Sequence, residues 1–101
     1  MIIRIVKMTF KKDRVNDFAE LFEARKQTIR NFQGCTHLEL WQDSVLENVF
    51  FTYSHWSSVA ELDHYRFSSF FKDTWGKTKA LFAEKPKAWS VIRKSTTRED
   101  H

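Results

Sequence analysis

Glycine, proline and cysteine are nearly missing from this chain of 101 residues, which has two, one and one respectively. Two glycines cannot make a G-x-G-x-x-G turn or a P-loop, so no Rossmann-type flavin or nicotinamide site is expected. The lone Cys35 excludes an internal disulfide and reads as a small buried hydrophobe. The opening MIIRIVKMTF has no basic start, apolar core or small-residue cleavage site, so export is not expected and the cytoplasm is the expected compartment. No apolar run approaches the roughly eighteen residues of a membrane span. The four histidines, His37, His55, His64 and His101, show no metal-ligand spacing, and no Cys/His cluster accompanies them. No G-x-S-x-G elbow surrounds any serine. Neither a metal nor an organic cofactor is therefore expected.

The net charge of +4 is spread rather than massed. Lys12-Asp13-Arg14, Glu23-Ala24-Arg25-Lys26 and Lys72-Asp73 mix signs, and Arg93-Lys94 with Arg98 is followed by Glu99-Asp100. This is a solvated surface with a mild attraction for anionic ligands, not a nucleic-acid patch. What the chain has in excess is rings: ten Phe, four Trp and two Tyr. Each can bury about 150–250 Å², more than one small core readily holds, so some are expected to line a cavity or a subunit contact.

Periodicity orders the chain. Ile2 to Phe10 alternates with apolar residues on both sides, Ile2, Arg4, Val6, Met8 and Phe10 opposite Ile3, Ile5, Lys7 and Thr9, as a strand covered on both faces does. Asp13 is placed to cap the helix that follows. Val15, Phe18, Phe22, Arg25, Ile29 and Phe32 form one helical stripe, with Arg25 expected to bury its stem and lift its head out. Gly34 ends that helix. Cys35–Gln42 and Val49–Trp56 read as a hairpin of strands around a polar loop. On the second of these strands, Val49, Phe51, Tyr53 and His55 share one face and Phe50, Thr52, Ser54 and Trp56 the other.

Ser58 and Glu61 have capping-box spacing, and Val59, Leu62 and Tyr65 fall on one face of the helix they start. Phe71, Trp75, Thr78 and Phe82 continue it, with Gly76 a candidate kink and Pro86 the stop. Lys87–Lys94 reads as the fourth strand. Residues 1–95 then form a single domain and 96–101 a polar tail. The order β-α-β-β-α-β is the split-βαβ, ferredoxin-like arrangement, an α+β fold with a four-stranded antiparallel sheet. Both helices cover one sheet face. The other, also apolar, calls for a second copy packed sheet to sheet as a homodimer, a dimeric α/β barrel.

The stretch Tyr53–Trp75 carries a resemblance. Trp56, Ser57, Ala60, His64, Ser68, Ser69, Phe70 and Phe71 are similar to the pattern of the antibiotic biosynthesis monooxygenase (ABM) family. The resemblance implies a dimeric ferredoxin-like protein. It also implies oxidation of a phenolic or hydroquinone substrate by O₂ without metal or flavin. A haem-degrading subgroup of that family uses an asparagine, a tryptophan and a ligating histidine at places that fall near Val6, Tyr65 and Trp75, and none of these residues can do that work.

The resemblance points to His64 as the base. His37 and His55 are further candidates, since a neutral imidazole suits phenol deprotonation. Tyr53, Trp56, Tyr65, Phe71 and Trp75 are the candidate substrate walls. Each of these positions has a structural reading beside the functional one: aromatic rings at helical spacing are also what a core looks like, and a helix-face histidine is often simply wet. A non-catalytic ligand-binding or stress-associated barrel and a small-metabolite isomerase are the alternative functions.

Overall fold

In a computed structural model that describes residues 1–97, the chain runs β1 (Ile2–Thr9), a 3-10 turn (Lys12–Arg14), α1 (Val15–Arg30), β2 (Cys35–Gln42), β3 (Val49–Trp56), α2 (Val59–Arg66), α3 (Ser69–Lys79) and β4 (Lys87–Val91). The strands form one antiparallel sheet in the order β2-β3-β1-β4. This is the expected ferredoxin-like α+β architecture, with its second helix divided in two. Arg98, Glu99, Asp100 and His101, part of the expected tail, lie outside the described residues.

Residues directly opposite in an antiparallel pair project to the same face, so the register sorts the sheet into rows. On one face the rows are Val91–Ile3–His55–His37, Trp89–Ile5–Tyr53–Glu39 and Lys87–Lys7–Phe51–Trp41. On the other they are Ser90–Arg4–Ser54–Leu38 and Ala88–Val6–Thr52–Leu40, flanked by Ile2–Trp56–Cys35 at one end and Met8–Phe50 at the other. The helices cover this second face. A bulge between Cys35 and His37 turns the Cys35 side chain away from the His37 face and into the core, where strict alternation would not put it.

Two core clusters follow from these rows. Trp56, Cys35, Ile29, Leu62 and Tyr65 pack at one end, and Met8, Phe10, Phe18 and Phe50 at the other. Trp56 is 1% exposed and its indole N–H donates to Ser54 Oγ at 3.0 Å, so its burial leaves no unpaired donor. Phe10 stacks on Phe18 with centroids 4.1 Å apart.

Several expectations about local structure are corrected. α1 ends at Arg30 with Asn31 as its C-cap, so Gly34 does not end the helix; Phe32 and Gly34 belong to the turn before β2. Asp13 caps nothing: it lies inside the 3-10 turn, and α1 starts at Val15 without a side-chain cap. The second helix breaks at Phe67–Ser68, not at Gly76, which sits within α3. Ser68 makes the break by donating Oγ–H to the Tyr65 carbonyl at 2.6 Å while accepting from Phe71 N–H at 3.1 Å, so one hydroxyl ends α2 and caps α3. Phe82 lies beyond α3 and pairs with Phe10 in an isolated bridge. Strand β4 stops at Val91 rather than Lys94.

The capping box is half built. Ser58 Oγ accepts from Glu61 N–H at 3.1 Å, but the Glu61 carboxylate takes Gln33 Nε2 at 3.2 Å. The Arg25 head does not rise into solvent. It crosses to α3, donating to Thr74 Oγ1 at 2.9 Å and pairing with Asp73 at 2.9 Å, over the Phe70 ring. Among the described residues, no helix is long and apolar enough to cross a membrane.

Candidate functional site

Between the two core clusters the helix-covered side of the sheet carries small residues. Thr52, Ser54 and Ala88 stand where the flanking rows have Trp56, Phe50 and Met8. The helices cannot close on a strip that short, and a cavity of about 330 Å³ results. Its floor is Val6, Thr52, Ser54, Leu38 and Ala88, with Arg4 at one side. Its roof is Leu62, Tyr65 and Arg66 of α2, and Phe71, Thr74, Trp75 and Thr78 of α3; Phe18, Phe22 and Ile29 of α1 close the back. The size is at the lower end of small-molecule sites, roughly 300–1,000 Å³, and the lining is mostly apolar, as in such sites.

Rings give the cavity its walls. Trp56 and Tyr65 stack at 4.9 Å, Tyr65 meets Phe71 edge-on at 5.0 Å, and Phe71 stacks on Trp75 at 5.9 Å. Ser54 Oγ accepts from Trp56, and Thr74 Oγ1 accepts from Arg25. Each hydroxyl keeps its own hydrogen to donate to a ligand.

Burial pushes the Tyr65 phenol well above its ordinary value, with the nearby Cys35 adding to the shift, so Tyr65 stays neutral. Among the described residues, the lining holds no carboxylate, imidazole, ammonium or thiol, and its charged members are Arg4 and Arg66. Burial, with the charge of Arg66 next in size, disfavours the Arg4 cation, while Asp63 acts the other way.

The expected site residues divide into three places. Trp56, Tyr65, Phe71 and Trp75 are brought together around the cavity, as are Val6, Tyr65 and Trp75, the positions compared with the haem-degrading subgroup. His37, Tyr53 and His55 lie on the opposite, uncovered sheet face. There His55 Nε2 and the Tyr53 hydroxyl are 2.7 Å apart, and Trp41 stacks on Tyr53 at 4.6 Å. The Glu39 carboxylate takes the His37 ring and the Trp41 indole N–H, which holds it below the usual carboxylate range. Burial, then the charges of His37 and Arg93, lowers the His55 pKa, and Glu39 partly opposes this. His64 belongs to neither group: it is exposed on α2 and does not line the cavity.

Sequence reasoning passed over Arg4, Ser54, Thr74 and Arg66. One signal was present: Arg4 interrupts an otherwise apolar strand face. Among the described residues no three His, Cys, Asp or Glu side chains converge as metal ligands.

The fold recurs widely among solved structures. One described as an antibiotic biosynthesis monooxygenase superposes with a TM-score of 0.86 at 16% identity, over 92% of this chain and 98% of its own. A conserved protein from Methanosarcina mazei Go1 gives 0.86 at 19% identity, over 93% and 94%. A protein from Mycobacterium tuberculosis gives 0.86 at 14% identity, over 96% and 98%. At such identities the likeness is one of fold. No curated protein matches the sequence. The model of the antibiotic biosynthesis monooxygenase family, however, matches residues 1–76, from β1 into α3 and so most of the cavity's framework. The chain belongs to the antibiotic biosynthesis monooxygenase family.

Proposed function

We propose that the protein is a cofactor-independent monooxygenase that oxidises a quinol or polyphenol with O₂, working in the cytoplasm as a homodimer. The observation that carries this reading is the cavity: aromatic walls, a volume suited to one or two rings, and two lining hydroxyls, Ser54 and Thr74, whose protein partners are donors. A phenolic oxygen set against Ser54 and Thr74 is stabilised as it loses its proton. The lining offers no base, so the proton leaves through the mouth to solvent. The electron-rich phenolate then reduces O₂ itself. For a hydroquinone, one oxygen atom enters the ring, the other leaves as water, and the organic product is a hydroxyquinone.

The absence of a base from the lining also suits a second reading, a carrier that holds the ring without turning it over. An isomerase would need a proton shuttle, which the lining does not offer. The homodimer accounts for the uncovered sheet face, where Trp89 is 44% exposed and Trp41 and Val91 each 40%.

Oxygen uptake with a panel of hydroquinones separates these readings. The monooxygenase consumes one O₂ per quinol without releasing peroxide. Ala88→Phe, which fills the cavity from its floor, cuts the rate by about tenfold or more, and His64→Ala leaves it unchanged. Uptake no faster than in buffer leaves the carrier, and stoichiometric peroxide overturns monooxygenation.

A further inference from the structure

We propose that the mouth of the cavity is a carboxylate-recognition site and that the preferred ligand is an aromatic acid, its ring in the cavity and its carboxylate on Arg4, with Arg66 as second anchor. This rests on reading the cavity as the substrate site, and it assigns that site a substrate class.

The argument starts from where Arg4 stands. It is the charged residue on the helix-facing side of β1, among Ile2, Val6, Met8 and Phe10, and it is partly buried. A guanidinium removed from water needs partners for five N–H groups. Arg4 has Ser90 Oγ at 2.9 Å, and among the described residues no carboxylate lies within ion-pairing distance of it. Arg25 shows what an arginine with a structural role looks like in this same protein: a carboxylate at 2.9 Å, a hydroxyl at 2.9 Å and a ring beneath it. Arg4 is partly buried and makes no such ion pair among the described residues; Asp63, which pairs with Arg66, acts on it only from beyond pairing distance.

The second observation is the balance of charge at the mouth. Arg66 pairs with Asp63 only at 3.8 Å, and both side chains are nearly half exposed. Among the described residues, two cations and one anion leave a net positive mouth over an apolar chamber, and the lining itself contributes no negative group. The mutual repulsion of Arg4 and Arg66 is relieved by an anion between them. A planar carboxylate matches the guanidinium fork, accepting two N–H bonds at once. The volume accommodates a bicyclic ring behind it.

Calorimetric titration with 6-hydroxy-2-naphthoate and its neutral carboxamide tests the assignment, because the pair differs in charge and hardly in shape. The acid is expected to bind about tenfold tighter or more than the amide, and added salt should weaken the acid alone. Arg4→Gln should bring the two ligands within about twofold, chiefly by weakening the acid, and Arg66→Gln should narrow the gap by a smaller factor. Arg4→Lys, which keeps the charge and loses the fork, should retain part of the preference. Equal affinities in the wild-type protein, no binding of either ligand, or a preference that survives both Gln variants overturns the proposal. The oxidation reading fails separately: an Arg4-dependent preference without oxygen uptake leaves the anion site standing, and turnover of neutral quinols without a preference does the reverse.

Discussion

Gly34 and Glu61 meet where the α1–β2 turn passes under the start of α2. Gly34 has φ of 89°, and a Cβ built on it would lie 2.4 Å from the Glu61 Cβ. Its carbonyl also accepts from Ser57 N–H at 2.8 Å. One glycine thus supplies a left-handed turn and a close approach together. The helix held by that contact carries Leu62, Tyr65 and Arg66, part of the cavity roof.

Gly34→Ala should therefore cost about 2–4 kcal/mol, combining left-handed strain with overpacking. Urea denaturation measures it. In a Glu61→Gly background the same substitution should cost less, because the contact is gone while the strain at φ remains. An equal cost in both backgrounds would show that the approach to Glu61 is energetically idle.

The uncovered sheet face predicts a concentration-dependent dimer. Light scattering behind a sizing column should give twice the chain mass, and Trp89→Glu, which puts a charge in the middle row of that face, should give the monomer. A wild-type protein that remains monomeric at high concentration removes the second copy from the proposed function.

Acid should weaken the fold through His55. Its pKa is below the ordinary 6.5, so below that value the unfolded chain binds the proton more readily than the folded one. The contribution is present at higher pH and is lost as pH falls through the folded value. From about pH 7 to about pH 5, Tm should decline less steeply in His55→Gln than in wild type. Tyr53 and Glu39 face this imidazole from the sheet, and His37 and Arg93 add charge to its surroundings. Identical slopes would mean that His55 does not feel that environment.

Cys35 should be inert in the folded protein. It is 6% exposed, burial pushes its thiol upward, and its Sγ–H donates to the His37 carbonyl at 3.6 Å. Iodoacetamide at mildly alkaline pH should label it only after denaturant is added. Rapid labelling of the native chain would place Cys35 outside the core.

Much of the fold was legible in the chain because its signals are local. The Val15–Ile29 stripe needs nothing beyond 3.6-residue periodicity, and the split of Phe50, Thr52, Ser54 and Trp56 from Phe51, Tyr53 and His55 needs only alternation. The misreadings were competitions between local signals. Gly76 lacks a side chain, yet a helix tolerates it. Ser68 can bond the backbone on both sides of itself and is the stronger interruption.

The sequence by itself determined the order and type of the elements, the apolar pattern on both sides of the strands and the surplus of rings, since each depends on neighbours a few residues apart. Only the tertiary structure decided that Ser54, Thr52 and Ala88 line up into a floor too shallow to fill, with Arg4 at its edge. It also divided the aromatic and histidine candidates between two sheet faces and left His64 on neither. Register and bulge set those juxtapositions through hydrogen bonds between strands far apart in the chain, and periodicity carries no record of which residue will stand opposite which.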